Sequence, residues 1–369
     1  MGNIRLKLKD FDWLLFFVAF FLILAGIVAI YVSAFKPGVD VGLPKNAIAQ
    51  GAFALVGLGV FFVVSFTDYR LVRNFSLIFY LVTLALLILV LVYGEVVGGA
   101  TRWIDLGLFR FQPSEIMKLA LILVLAWYFS SNVRGRERSF KPFLVSIAIV
   151  LVPTLVVFAQ PDLGTALVYG AIWFGMVLVS QINKIYVFLL GAAGAALAPV
   201  AWLALKDYQK NRILTFLNPY TDPSGAGWNV IQSTIAVGSG RVTGKKYTLS
   251  QSLLNFLPAQ HTDFIFATLA EKMGFLGAAI VIGLFLAMLL RAIRAIKISQ
   301  ETFGMFLATG VTFMILFQAV INIGMNMGIA PVTGIPLPFV SYGGTSLIVS
   351  LLALGLLQSV IVHHRKIKF

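Results

Sequence analysis

Long apolar runs limit this chain more than any other feature. Stretches such as Trp13–Ala34, Phe75–Tyr93 and Phe303–Met325 are long enough to cross a hydrocarbon layer of about 30 Å as helices. Lipid offers no hydrogen-bond partners to a bare backbone, so each crossing run is expected to be helical. The runs are not an accident of one region, because hydrophobic residues make up 60% of the chain and charged residues only 11%. A water-facing surface cannot be covered with so little charge.

Ten such spans are expected: Trp13–Ala34, Ala47–Phe66, Phe75–Tyr93, Glu115–Ser130, Phe143–Ala159, Leu163–Gln181, Tyr186–Leu205, Phe264–Leu290, Phe303–Met325 and Ser341–Val362. The fold class is therefore an all-α integral membrane protein. Residues 1–369 form a single polytopic unit, with a large extracytoplasmic loop, 206–263, between the seventh and eighth helices. The first run is read as a membrane span, not a cleavable signal peptide, because it is too long and no small-residue cleavage site follows.

Charge placement orients the spans. Sixteen Lys and Arg residues, from Arg5 to Lys368, fall on one side, against Lys36, Lys45, Arg102 and Arg110 in the short connections of the other. That asymmetry puts both termini in the cytoplasm, and an odd span count would destroy it. It also accounts for the net charge of +14 without nucleic acid. The chain has no cysteine, which excludes disulfides and thiolate chemistry. It has three histidines, two of them in the basic tail, which argues against a histidine-rich metal site.

Two outer connections carry polar and charged side chains. The first, Gly94–Ser114, holds Arg102, Trp103, Asp105, Arg110 and Gln112; the second is the loop of about sixty residues, too long for a plain linker. Its aromatic and apolar residues favour ordered structure over the membrane. Ionisable groups near the ends of spans are costly and so become candidates for function. Glu115 and Lys118 share one helical face behind Ser114, an expected N-cap, and could be no more than a self-neutralising pair. Asp162 could simply cap a helix. Glu271 and Lys272 are adjacent, point apart, and read as a lock between helices. Asp263, in His261-Thr262-Asp263-Phe264, is either a first-turn acid facing the helix dipole or a catalytic base. The dipole favours its ionised form and burial opposes it.

Five blocks then resemble one family. The most specific is Asn322, Gly328-Ile329-Ala330-Pro331-Val332-Thr333-Gly334 and Ser341-Tyr342-Gly343-Gly344-Thr345-Ser346. With it go Gly99-Ala100-Thr101-Arg102-Trp103-Ile104, Phe111-Gln112-Pro113-Ser114-Glu115 with Lys118, Gln160-Pro161-Asp162-Leu163-Gly164-Thr165, and Asn255-Phe256-Leu257-Pro258 before His261–Ala267. Together they resemble the SEDS family of polytopic cell-wall polymerases, which includes RodA, FtsW and SpoVE, over nearly the whole chain. The run Pro331–Pro338 and the short N-terminus look most like the elongation branch, RodA.

That resemblance implies a peptidoglycan glycosyltransferase of cell elongation and shape. It would polymerise lipid II at the outer face of the bacterial plasma membrane, with inversion at the anomeric carbon. Asp263 would then be the general base. Arg102, Arg110 and Lys118 would face the departing diphosphate, with Lys245 and Lys246 beside them. Glu115 and Asp162 would orient these cations or the sugar, or help hold a divalent cation (Mg or Mn), and His261 would bind substrate. Trp103 would either stack on a sugar or anchor at the interface. Asn322, Pro331, Ser341, Gly343, Gly344 and Ser346 would be structural. The implied partner is a class B penicillin-binding protein.

Three departures from the family pattern stand out. Arg241 ends Gly238-Ser239-Gly240-Arg241 where glycine is common, Lys246–Leu249 replaces a glycine-rich stretch, and Ala259 stands where an acid is common. A flippase for the lipid-linked precursor, a non-catalytic scaffold and a glycan ligase are the alternatives. Gly- and Pro-interrupted helices suit a transporter, but the motifs lie on one side and no inverted repeat is visible.

Overall fold

Apolar runs become helices along almost the whole chain. The computed structural model describes residues 8–34, 44–97, 100–105, 107, 110–132, 140–204, 207–223, 225, 227–245, 256–257 and 259–364. In chain order the first helices are α1 (Trp13–Ala34), α2 (Lys45–Phe66), α3 (Tyr69–Tyr93), α4 (Pro113–Asn132), α5 (Lys141–Ala159), α6 (Leu163–Val179) and α7 (Lys184–Ala204). Two helices follow in the long connection, α8 (Asp207–Leu217) and α9 (Trp228–Ser239). The last three are α10 (Ile265–Ile298), α11 (Thr302–Asn326) and α12 (Gly344–Val362). Among the described residues eight helices are long and apolar enough to cross a membrane; α6 and the apolar part of α7 are shorter. These two lie where the sixth and seventh spans were expected.

Burial divides the bundle into a centre and a rim. In α4 and α12 most positions are buried, polar ones such as Glu115, Lys118 and Gln358 among them. With α11 they contribute to the larger of two hydrophobic clusters; the smaller gathers Ala236, Leu257, Phe264 and Ala267 beside the start of α10. On α2, α3 and α5 large side chains such as Leu55, Val63, Phe75 and Leu155 are exposed, as expected of faces in contact with lipid tails. Small residues set the closest approaches: a Cβ at Gly355 would lie 3.0 Å from the Phe61 carbonyl oxygen, so α12 fits tightly on α2.

Several expected boundaries move for identifiable reasons. Ser114 is not an N-cap: α4 already begins at Pro113, which needs no amide partner there, and the Glu115 amide donates to the Gln112 carbonyl (3.1 Å). The tenth span starts at Gly344, not Ser341, because residues 341–343 hold a neighbouring loop. The connection Gly94–Ser114 contains a small antiparallel sheet, β1 (Glu95–Val97), β2 (Ala100–Asp105) and β3 (Arg110–Phe111), in the order β1-β2-β3. Thr101, Trp103 and Ile104 favour strand there.

The eighth span differs most. Helix α10 is interrupted at Gly274, whose φ of 68° only glycine adopts freely. Residues 240–245 fill the break. The Phe275 amide donates to the Arg241 carbonyl (2.8 Å) and the Leu276 amide to the Val242 carbonyl (3.2 Å). The Lys245 amide donates to the Glu271 carbonyl (2.8 Å). Backbone groups orphaned by the break are thus satisfied by a second strand of chain, as a buried backbone requires. Nine residues separate Ile265 from Gly274, so the connection runs down the side of α10 for about 13 Å. It does not merely overlie the bundle. Lys246–Leu249, Asn255 and Pro258, with Gly98 and Gly99, lie outside the described residues.

Candidate active site

Asp263 is held by its backbone, not by its side chain. Its carbonyl accepts the Asn322 and Asn326 amide groups, each at 3.0 Å. One residue earlier, the Thr262 carbonyl accepts the Ser341 hydroxyl (2.7 Å). The His261 carbonyl accepts the Tyr342 amide (2.8 Å). The Ser341 oxygen also receives the Leu337 amide (2.8 Å), and Asn322 donates a further bond to the Ile335 carbonyl (2.8 Å). The last connection, 327–343, is therefore stitched to the segment 261–263. Asn326 adds a cap, its side-chain oxygen accepting the Ala267 amide (2.9 Å) in the first turn of α10. Asp263 itself precedes that helix, whose own N-cap position is Phe264. The first-turn dipole reading of this acid is thereby corrected: capping is done by an asparagine from another helix.

The Asp263 carboxylate is partly buried and makes no ion pair among the described residues. Burial pushes its pKa above the ordinary aspartate value. Arg102 and then Arg212 pull it down, the Thr262 hydroxyl adds a weaker downward effect, and Asp162 pushes it up. Burial wins, which makes the carboxylate a stronger base than an exposed one. Opposite it stands Gly334, with φ 74°; a Cβ there would come within 3.6 Å of Asp263 Oδ2.

The other outer-end candidates converge on this point to different degrees. Asp162 caps α6, accepting the Thr165 amide (3.2 Å) and hydroxyl (2.9 Å). It also faces Arg102, with 3.6 Å between Nη1 and Oδ1, while Arg102 donates to the Pro161 carbonyl (3.2 Å). Capping and cation contact thus coexist in one carboxylate. A Cβ at Gly164 would meet the Thr333 carbonyl at 2.6 Å, so the start of α6 lies against the loop that carries Gly334. Asp162, which pairs with Arg102, caps the helix that meets this loop at Thr333, and Asp263 meets the same loop at Gly334.

Glu115 and Lys118 form a closed pair at 2.6 Å, both almost fully buried. Tyr169 supports the start of α4 by donating to the Ser114 carbonyl (2.9 Å). Arg110 has an exposed side chain, and its carbonyl accepts the Thr345 hydroxyl (3.1 Å), which ties β3 to α12. Trp103 is partly buried on β2. The His261 ring lies 3.1 Å from the Ser33 hydroxyl, and burial lowers its pKa, so the neutral imidazole is favoured. Lys245 sits two turns down α10, by Glu271 and Lys272, both buried. Pro331 lies in the stitched loop, and Gly343, Gly344 and Ser346 at the start of α12. The Gly343 amide donates to Gln50 (3.2 Å), whose own amide group donates to the Ser341 carbonyl (3.1 Å).

Sequence reading missed Arg212, Asn326 and Gln50. Asn326 lies one turn after Asn322 on the same face of an apolar helix, a signal that could have found it. Arg212 and Gln50 had no such marker. Among the described residues no three His, Asp or Glu side chains gather as a metal-ligand group.

Comparison with known proteins agrees with these motifs. The cell cycle protein family FTSW_RODA_SPOVE matches residues 12–366. The peptidoglycan glycosyltransferase MrdB of Escherichia coli K12 is 38% identical over 330 residues, covering 89% of this chain and 88% of its own. The stage V sporulation protein E of Bacillus subtilis is 37% identical, with 95% and 96% covered. Among solved structures, a chain from a peptidoglycan synthase complex that coordinates polymerization and crosslinking aligns with a TM-score of 0.81 at 33% identity, covering 96% of this chain and 98% of that one. The rod shape determining protein RodA of Thermus thermophilus aligns at 0.70 and 28% identity, with 96% of each chain covered. By the extent of these matches, this chain belongs to the FtsW/RodA/SpoVE family.

Proposed function

We propose that this chain is a peptidoglycan glycosyltransferase that polymerises lipid II into glycan strands for cell elongation. The observation that carries the mechanism is Asp263: a carboxylate made more basic by burial, fixed through its backbone, with two guanidinium groups in electrostatic reach and none in contact. Asp263 takes the proton from an acceptor sugar hydroxyl as that oxygen bonds to the anomeric carbon of the donor. The bond from that carbon to the diphosphate oxygen breaks, undecaprenyl diphosphate leaves, and the configuration inverts. Arg102 faces the charge that develops on the leaving group. Asp162 orients Arg102, and Arg110, Trp103 and His261 line the approach. Lys118 is a structural cation here, since Glu115 already neutralises it. Lys245 lies further down α10 and binds the distal part of the substrate.

Ten crossings, with α6 and α7 as the short ones, put both termini in the cytoplasm and Asp263 outside, within a single polytopic unit. The orientation rests on the basic residues near the span ends. Glu115 and Asp162 are each engaged by a cation of this chain, so the donor set does not fit a resident metal. A divalent ion would enter with the substrate diphosphate. The partner is a class B penicillin-binding protein, as the family resemblance implies; one support is the likeness to a chain from a synthase complex that coordinates polymerization and crosslinking.

The deciding experiment gives lipid II to the purified protein in detergent, with and without the partner and Mg or Mn. Wild type makes polymer, and Asp263→Asn, folded to the same extent, makes none. Polymer from the Asn variant would remove Asp263 as the base. Absence of polymer from wild type under every condition would favour a transporter.

A further inference from the structure

Helix α8 has two faces of opposite character. Taking about 100° per residue, Ile213, Leu214 and Leu217 share one side, and Asn211, Arg212, Thr215 and Phe216 the other. The first three are all exposed, Leu217 to 73%. The second group lines a cavity of about 320 Å³ together with Asn229 and Val230 of α9 and Val332 of the stitched loop, so its walls mix polar and apolar groups. An apolar face turned outward beside a polar face turned inward suits a helix lying at the boundary of lipid and water. Arg212 is the cation of that cavity, and among the described residues it makes no ion pair. It lies in electrostatic reach of Asp263.

A ligand for such a place needs an anionic group at the boundary and an apolar tail that continues into lipid. We infer that Arg212, with Asn211 and Asn229, is a binding site for a polyprenyl diphosphate, whose tail leaves along Ile213, Leu214 and Leu217. The inference rests on the polymerase reading and locates one end of its substrate. Arg212 suits a diphosphate because its planar fork binds two oxygens at once, and amide groups supply neutral donors beside it. Val332 joins the cavity to the loop that carries Gly334, so the diphosphate would sit within one loop of Asp263. Arg102, which pairs with Asp162, is the second guanidinium in electrostatic reach of Asp263. Two guanidiniums in electrostatic reach of one carboxylate match a reaction in which a donor and an acceptor both carry polyprenyl diphosphate.

The test measures binding apart from turnover. Full-length protein in detergent is titrated with farnesyl diphosphate and, separately, with inorganic diphosphate. Arg212→Gln is expected to weaken both by about tenfold or more. Arg212→Lys should recover only part of that, since it keeps the charge and loses the fork. Asn229→Ala is expected to weaken both less than Arg212→Gln. Leu214→Asn with Leu217→Asn should weaken farnesyl diphosphate and leave inorganic diphosphate unchanged. Equal affinities for wild type and Arg212→Gln, at equal melting temperature, overturn the inference, as does wild type that binds neither ligand. Wild type that polymerises lipid II while Arg212→Gln binds normally sinks this site and leaves the polymerase reading intact. Wild type that binds through Arg212 but yields no polymer does the reverse.

Discussion

Glu115 and Asp263 are carboxylates at the same end of the bundle, and the chain treats them in opposite ways. Glu115 has its cation one turn along its own helix, 2.6 Å away, in surroundings that exclude water. Asp263 is followed by Phe264, Ile265 and Phe266, so the first turn of its helix offers it no cation. Its opposing charges come from β2 and α8, and neither makes contact. The first acid is complete within its own segment and has nothing left to offer a substrate. The second is unfinished, and a substrate hydroxyl can complete it. Residue type and depth are thus poor guides to reactivity; the origin of the counter-charge is a better one.

Asparagine at position 263 gives the largest expected effect. It keeps the size and removes the base, so polymerisation should fall by about 10²–10⁴-fold or more, with little change in melting temperature. Glu115→Gln should do the converse. It leaves Lys118 buried without a partner, at a cost of about 3–5 kcal/mol, and the protein should melt earlier. Adding Lys118→Met should recover much of that loss, because both charges are then gone. Thermal unfolding in detergent beside a lipid II assay separates the two patterns. If Glu115→Gln abolished synthesis at unchanged stability, the contrast between the two acids would be false.

Acidity sharpens the same contrast. Asp263 must be ionised to accept a proton, and burial raises its pKa. Activity should therefore fade, as pH drops, at values above the ordinary aspartate range, and return as pH rises. Arg102 holds that pKa down, so Arg102→Gln should move the acid limb of kcat/KM to higher pH. The Glu115→Gln variant should leave the limb where it is. A limb indifferent to Arg102 would mean that a different group is being titrated.

Much of this arrangement could be read in the sequence. Ten apolar runs mark α1–α7 and α10–α12, because burial in lipid needs length and little else, although α3 begins six residues before the expected span and α10 ends eight after it. Asp162 announces its cap through Thr165 three residues on. The break at Gly274 was hidden, since glycine is common in membrane helices and the segment that repairs it lies thirty residues earlier. Long-range backbone bonds leave no periodic trace. Asn322 and Ser341 were recognisable as parts of a signature, yet their task, gripping carbonyls of residues 262 and 263, emerges only in three dimensions. Asn326 shares that task and allows a test. Asn326→Ala removes the cap at Ala267 and one of two bonds to the Asp263 carbonyl, so about 1–3 kcal/mol of stability should be lost. Activity should fall with it, whereas the Glu115–Lys118 pair has no stake in the change. Equal stability of that variant would leave the stitching of 261–263 to Ser341 and Asn322 alone.

The smallest effect concerns the supports beneath Asp263. Arg241 and Ala259 have φ of 50° and 52°, in the left-handed region that costs an ordinary residue about 1–2 kcal/mol. Both are positions that the sequence reading set apart from the family resemblance, and at Arg241 the residue expected there is glycine, the residue that conformation favours. The strain at Arg241 persists because its carbonyl is held by the Phe275 amide across the break in α10. Its side chain is exposed and brings little packing in return. Arg241→Gly should relieve the backbone and also loosen the unfolded chain, two effects of opposite sign. A net gain of about 0.5–1 kcal/mol is expected, seen as a rise of about a degree in melting temperature. The acid limb of activity should not move, because the segment supports α10 without touching the charges around Asp263. A variant that loses stability instead would show that the guanidinium of Arg241 holds a partner, and that strain here is offset locally, as the charge of Glu115 is.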